Sequence, residues 1–340
     1  MERHSPGPSP RRGDEAGPEL SVVLCTYEGE RFLRAQLDSL LAQTFLPHEI
    51  VLSDDASRDG TWGILEEFAA SARALGMRVR LLRHERNLGF VGNFEQALRL
   101  ATGEIVFLCD QDDVWHAEKV ALVRRRFLDD PALWLLCSDA RLIDAQDNDL
   151  GHSLFQALEL AAWERQALHR GRALDVLLRR SMVTGATAAF RRRLLDRALP
   201  VAEGWIHDEW LAIVAAVLGT VDALEAPLIG YRQHGGNQIG MARRGLADKW
   251  RDLRRPRAVQ FRSEIARMRA LEARLADWPG AAPCAALVAR RREHFERRVA
   301  IGRLRRLARL PAVLREARRG GYHRYGTGAR SMLRDLLRHD

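Results

Sequence analysis

The stretch Gly103–Trp115, GEIVFLCDQDDVW, decides the fold. Its first half, Ile105 to Cys109, is an unbroken apolar run of strand length, far shorter than the roughly 20 residues a membrane span needs. Three acids in four residues, Asp110, Asp112 and Asp113, follow at once. Carboxylates delivered together from a strand end supply hard oxygen ligands for a divalent cation that bridges phosphates, and Mg²⁺ or Mn²⁺ suits such a set best. By itself the pattern reads equally well as an acidic turn or a helix start favoured by the helix dipole, so the flanking sequence has to decide.

Working outward, apolar runs alternate with longer helical stretches through the first 140 residues. Strands are expected at Leu20 to Cys25, Glu49 to Ser53, Arg78 to Leu82, Glu104 to Cys109 and Leu133 to Ser138. Between them, Arg31 to Gln43 places Phe32, Leu33, Leu37, Leu40 and Leu41 on one stripe, and Trp62 to Leu75 and Phe94 to Leu100 show the same helical spacing. Strand and helix in alternation predict an α/β fold, Rossmann-like, with a mostly parallel central sheet and flanking helices. Ligands of such sheets sit beyond the carboxyl ends of the strands. Those exits read Thr26-Tyr27-Glu28, Asp54-Asp55, Asn87-Leu88-Gly89 and Asp110-Gln111-Asp112-Asp113. Acids gathered at one rim repel each other, which implies a cation or a cationic partner.

The chain has 340 residues, 46% hydrophobic and 29% charged, enough apolar material for a large core and unlike a disordered chain. Residues 1–18 are rich in Pro, Gly, Ser and charge, lack the apolar stretch of a secretory signal, and read as a disordered leader on a cytoplasmic protein. Cys25, Cys109, Cys137 and Cys284 show no close pairing, so neither a disulfide framework nor a cysteine metal knot is expected. Charge is split sharply along the chain. Residues 241–340 carry 27 Lys+Arg against 10 Asp+Glu, a net +17, whereas the preceding 240 residues carry 27 and 35, a net −8. An acidic body at 19–240 is therefore expected to precede a basic, mainly helical region at 241–340, punctuated by Pro256, Pro279, Pro283 and Pro311.

Further motifs lie beyond the first strands. In SDDASRDGT, Ser53 to Thr61, Asp59 and Thr61 read as capping residues, and Asp54 and Asp55 as ligand contacts. Thr184 to Ala189 is a run of small residues that either leaves room for substrate or packs a buried strand. Trp205-Ile206-His207-Asp208-Glu209-Trp210 opens an apolar helix, and a strand from Val221 to Tyr231 ends in Arg232-Gln233-His234-Gly235-Gly236-Asn237.

As an ordered set from Leu20 to Asn237, SVVLCTYEGERFL, IVLSDDASRDGT, RNLGFVGNF, GEIVFLCDQDDVW, HDEW and YRQHGGN resemble the family 2 inverting glycosyltransferases of GT-A fold, especially bacterial rhamnosyltransferase-like members. The resemblance implies that Thr26 and Tyr27, with Glu28 beside them and one of Asp54 or Asp55, hold the pyrimidine and ribose of a nucleotide sugar. Asn87, Gly89 and Asn93 would shape the adjoining loop. Asp110 and Asp112 would be the metal-binding pair, Asp112 first, with Asp113 assisting; His234 would approach the metal or diphosphate, and Arg232 would help neutralise it. Asp208 resembles the catalytic base that takes the acceptor hydroxyl's proton, with Glu209 its rival. Gly185 and Ala186 resemble the acceptor side; Trp205 and Trp210, which flank Asp208, read either as sugar-stacking faces or, as is more common for tryptophan, as partly buried core. Glu28 departs from the Asn that many relatives have after Thr-Tyr.

The expected reaction is transfer of rhamnose or a related hexose from a dTDP- or UDP-sugar to a lipid-linked or polysaccharide acceptor in bacterial surface glycan synthesis. Within the basic region, Ala285 to Leu310 carries Leu287, Val288, Phe295, Val299, Leu304 and Leu307 among nine arginines, a pattern expected of an interfacial helix at an anionic cytoplasmic leaflet. Two other classes compete. A nucleic-acid-binding protein would use the basic helices on phosphates, but no zinc finger or RNP-type motif is present and the acidic exits oppose a polyanion. A nucleotidyltransferase or other two-metal phosphoryl-transfer enzyme would use the same acids with a second ion and a basic clamp, for which Arg58, Arg86 and Arg232 are the nearby basic residues.

Overall fold

A computed structural model describes residues 17–234 and 256–338. The expected leader (Gly17 and Pro18 apart), Gly235-Gly236-Asn237 of YRQHGGN, and the start of the basic region at 241–255 lie outside the described residues. The chain divides into two compact units.

The first unit is an α/β layer built on one nine-stranded sheet. Its amino-terminal half is β1 (Leu20–Thr26), α1 (Glu30–Leu41), β2 (Glu49–Asp54), α2 (Thr61–Ala74), β3 (Arg78–Arg83), α3 (Gly89–Leu100) and β4 (Ile105–Cys109). Strands β3, β2, β1 and β4 lie side by side and parallel, with Val22 opposite both Ile50 and Phe107. Every residue of β1, β2 and β4 is buried, which fits the apolar runs at their centres, Val22 to Cys25, Ile50 to Leu52 and Ile105 to Cys109. Leu33, Leu37 and Leu40 of α1 and Ile64, Leu65 and Phe68 of α2 cover the sheet and join the main core.

The remainder comprises β5 (Val114–Trp115), α4 (Lys119–Asp129), β6 (Leu133–Ile143), β7 (Asp149–Ser153), the short helices α5 (Leu154–Ala157) and α6 (Ala162–His169), β8 (Ala188–Arg191), α8 (Leu195–Ala198), α9 (His207–Leu218) and β9 (Thr220–Arg232), while α7 (Ala173–Leu177), between α6 and β8 in the chain, belongs to the second unit. The sheet order is β3-β2-β1-β4-β8-β6-β9-β5, with β7 on β6. Strands β5, β7 and β8 run against the other six, so the sheet is mixed with a parallel majority. The sequence offers no strand signal at β8, because four residues, Ala-Ala-Phe-Arg, are too short and too alanine-rich to stand out.

The second unit holds α10 (Ala258–Leu275), α11 (Ala282–Gly302), α12 (Arg306–Arg318), α13 (Gly321–Arg324) and α14 (Ala329–Leu337), together with residues 172–182 and 202–206. The boundary expected near residue 240 is thus incomplete, since two earlier segments, α7 among them, fold with these helices. Phe261, Ile265 and Phe295 form one core, with Val299 against it, and Ile301, Val313 and Tyr322 form another. Buried ion pairs fill the rest: Arg298 Nε donates to Asp335 Oδ2 at 2.7 Å, which also accepts the Tyr322 hydroxyl, and Glu316 takes His294 and Arg297. The single interfacial helix expected from Ala285 to Leu310 is corrected in part: it is broken in two, and of its apolar residues Leu304 and Leu307 remain exposed. Val288 and Phe295 are buried, and the helix stops at Gly302.

Candidate active site

Parallel register sets Thr26 beside Asp54 at the ends of β1 and β2. Asp54 is fully buried, and its carboxylate accepts the Thr26 hydroxyl at 2.9 Å, the Ser57 amide at 3.0 Å and the Ser57 hydroxyl at 2.6 Å. These bonds close the turn after β2, so Asp54, expected as a candidate ligand contact, holds the loop together. Asp55 Oδ1 accepts the Leu88 amide at 2.7 Å and thereby pins the loop containing Asn87 and Gly89. Asn87 turns that loop by accepting the Gly89 amide, and Gly89 sits at φ 76°. Asn93 is buried on α3, donates to the Thr26 and Ser53 carbonyls, and accepts the Ser53 hydroxyl.

Tyr27 is half-exposed, with its backbone clamped from both sides by Gln111, which accepts its amide at 2.8 Å and donates to its carbonyl at 3.0 Å. Glu28 adopts φ 48°, its amide donating to Ser57 Oγ and its carboxylate accepting the Arg58 amide. Left-handed backbone favours Asn and Gly over a residue such as Glu. Asp59 accepts the Thr61 and Glu30 amides, as expected of a capping residue.

Beyond β4, the antiparallel pairing of β5 with β9 carries the end of β9 to the acidic loop. The Arg232 amide donates to Asp113 Oδ1 at 3.0 Å, and His234 Nε2 lies 2.8 Å from Asp112 Oδ2. Asp113 is fully buried, and its Oδ2 has no hydrogen-bond partner. Burial pushes the Asp113 carboxyl well above the carboxylate range, and Asp112 and Asp110 push it further. Burial, then Asp112 and Asp208, raise Asp110 to about 7 against the pull of Lys119. The charge of Asp208 therefore acts at the loop that carries Asp110 and Asp112.

Asp208 stands in the first turn of α9, where the helix dipole favours a carboxylate. Its Oδ2 accepts the Gly185 amide at 2.8 Å and its Oδ1 the Glu209 amide at 2.7 Å. Gly185–Thr187 form a buried 3₁₀ turn ahead of β8. A Cβ on Gly185 would stand 3.4 Å from Asp208 and from the His207 ring, in ordinary van der Waals contact with both. The carbonyl of Ala186 accepts Lys119 Nζ at 2.8 Å.

Three expectations need correction. Trp210 is fully buried with its indole nitrogen donating to the Ala198 carbonyl, and Trp205, in the second unit, is covered by the Arg267 guanidinium 4.0 Å over its ring. Neither presents a face to a sugar. Arg232 is 1% exposed and is held by the Asp112 and Asp144 carbonyls and by Asp147, so it locks the loop instead of neutralising a diphosphate. His207 is stacked on Phe94 at 4.1 Å with neither ring nitrogen hydrogen-bonded.

The sequence signature of glycosyl transferase family 2 matches residues 21–199. The chain belongs to this family. An uncharacterised protein of Mycobacterium tuberculosis is 29% identical over 216 residues, 63% of this chain, and the match spans 59% of that relative's length. An Escherichia coli UDP-Glc:alpha-D-GlcNAc-diphosphoundecaprenol beta-1,3-glucosyltransferase is 32% identical over 103 residues, 30% of this chain and 38% of its own. In fold, Staphylococcus aureus TarS residues 1–349, solved with UDP-GlcNAc, superimposes with a TM-score of 0.53 at 17% identity, covering 93% of this chain and 90% of that one. These likenesses agree with the GT-A-like α/β sheet and carboxy-terminal helices described above.

Three residues of this family 2 chain escaped the sequence reading. Gln111 hides between the acids yet ties the β1 exit to the β4 exit. Lys119 is fully buried, its ammonium 3.6 Å over the Trp115 ring, and burial pushes it down to about 7 against the pull of Cys109, Asp113 and Asp110. Tyr231 lies among the acids, its hydroxyl pushed up by burial and then by Asp110, Asp113, Asp112 and Asp208. A lysine at a helix start reads as solvent-exposed in sequence, and only its position within the run DQDDVWHAEK hinted otherwise.

Proposed function

We propose that this chain is a metal-dependent, inverting glycosyltransferase that moves a hexose from a nucleotide-diphosphate sugar, a dTDP- or UDP-sugar such as dTDP-rhamnose, to a lipid-linked or polysaccharide acceptor. One observation carries the reading: Asp208 shares an electrostatic neighbourhood with Asp110, at the carboxyl edge where Asp112 and Asp113 also lie. A base is thus set near a cluster suited to a cation and a diphosphate. Thr26, Tyr27 and Asp55 sit at the adjoining exits, and Asp55 is the better candidate for the base contact because Asp54 is occupied by its own turn. The name of the Escherichia coli relative, with its lipid diphosphate acceptor, supports a station at the cytoplasmic face of a membrane.

The acids fit a divalent cation. Asp113 Oδ2 is buried without a partner, and burial and mutual repulsion disfavour the charged forms of Asp110 and Asp113. Among the described residues, no group of three or more His, Cys, Asp or Glu side chains is placed to hold a metal ion, so an ion here would rest on fewer protein ligands and on the substrate. That suits Mg²⁺ or Mn²⁺ bound through one or two carboxylates and the substrate's phosphates. Asp112 and Asp110 would hold the ion, with Asp113 and His234 alongside, and when bound it would offset charge on the departing diphosphate. Asp208 accepts the proton of the attacking hydroxyl, and the Gly185 amide fixes its orientation.

Incubation with UDP- and dTDP-sugars, Mg²⁺ or Mn²⁺ and a candidate acceptor tests the proposal. Asp208→Asn should retain nucleotide binding and lose transfer by about 10²- to 10⁴-fold. Transfer at the parent rate by that variant would remove Asp208 from the role.

A further inference from the structure

In the second unit, Arg303 to Arg319 places four leucines toward solvent, with Leu304 39%, Leu307 96%, Leu310 51% and Leu314 43% exposed. On α12, Leu307, Leu310 and Leu314 are spaced three and four residues apart and fall within about 60° of one another. The opposite face is the one that packs, through Arg309, Val313 and Glu316. The stripe therefore results from a helix whose buried face is already filled.

Charge follows the same division. Arg303, Arg305, Arg306, Arg315, Arg318 and Arg319 are exposed, and the one acid in the segment, Glu316, is buried against His294 and Arg297. Arg306 and Arg315 border the leucine stripe and Arg318 extends it. Elsewhere in this unit Arg269 and Arg292 pair with Glu296 and Arg291 with Glu264, and within the segment itself Arg319 lies 3.7 Å from Glu316. A nucleic acid would satisfy the arginines and leave the leucines in water. A surface with anionic phosphates above hydrocarbon satisfies both.

We infer that the Leu304–Leu314 face, ringed by these arginines, lies flat in the headgroup layer of an anionic phospholipid membrane. No helix among the described residues is long and apolar enough to cross one. The inference takes its biological sense from the membrane-side reading above, yet vesicle binding is measured without transfer, so the two can fail separately.

The test is flotation of the full chain with vesicles of phosphatidylcholine containing about one third phosphatidylglycerol, against phosphatidylcholine alone. Binding is expected only to the anionic vesicles, and added salt should weaken it. The triple variant Leu307→Gln, Leu310→Gln, Leu314→Gln should keep its melting transition, because these side chains are exposed, and lose at least about tenfold in vesicle affinity. Arg315→Gln and Arg318→Gln should each lose roughly fivefold, and Asp208→Asn should float like the parent. Failure of the full chain to float on anionic vesicles overturns the inference, as does unchanged flotation of the leucine variant. Light scattering that shows a dimer broken by that variant, without vesicle binding, assigns the stripe to a second copy and also overturns it.

Discussion

At the exit of β2, Asp54 accepts three hydrogen bonds from Thr26 and Ser57 and lies fully buried. At the exit of β4, two strands away in the same sheet, Asp113 is equally buried but keeps one oxygen without a partner, and Asp110 faces the charges of Asp112 and Asp208. Both loops are rich in acid in sequence. Partners separate them: the Asp54 carboxyl is matched by several hydrogen bonds, whereas the crowded, desolvated carboxyls of Asp110 and Asp113 resist ionisation until a cation or donor matches them. The first loop is scaffold for the second.

Substitutions at the two loops should therefore diverge. Asp54→Ala removes three hydrogen bonds to a buried anion and is expected to lower unfolding stability by about 3 to 5 kcal/mol. Asp112→Asn, at a loop under like-charge strain, should leave the melting temperature equal or higher while divalent-cation binding falls. Thermal melts with calorimetric Mn²⁺ titration read both, and a strongly destabilised Asp112→Asn would erase the distinction.

A pH series sharpens it next. Asp110 is raised to about 7 in the fold from an ordinary value near 4, so between those values the folded state holds the proton more tightly than the unfolded chain. Stability from this group is present at low pH and is lost as pH climbs through about 7. Lys119, lowered to about 7, has the opposite slope, and its contribution recovers as pH rises from about 7 toward the ordinary lysine value. Metal-free protein should accordingly melt lower near neutrality than at mildly acidic pH, and Asp110→Asn should flatten that acidic limb. An unchanged limb in Asp110→Asn would place the titration elsewhere.

Strands β1, β2 and β4 were legible in the sequence because strands buried on both faces carry apolar runs without alternation at their centres, and their exits followed from chain order alone. The division of labour among the acids was not legible. Whether Asp54 or Asp113 is satisfied depends on Ser57, Thr26 and Arg232, and the last arrives from 119 residues away through the pairing of β5 with β9. For the same reason Arg232 read as a neutraliser of the diphosphate and proved a brace, and Lys119, buried against the Ala186 carbonyl, drew no reading at all. Apolar periodicity reports which face is buried; it carries no record of which polar groups meet there.

The smallest expected effect concerns the seam between scaffold and site. Glu28 holds φ 48°, where a Cβ crowds the following carbonyl, and its side chain returns one exposed hydrogen bond to the Arg58 amide. Asn tolerates this backbone better because its short amide bonds locally. Glu28→Asn should raise stability by up to about 1 kcal/mol, with the Ser57 contact intact because the Glu28 amide makes it. If the variant melts lower, the Glu28 carboxylate braces the turn after β2, and the scaffold loop extends one residue closer to Tyr27 than the Asp54 bonds alone indicate.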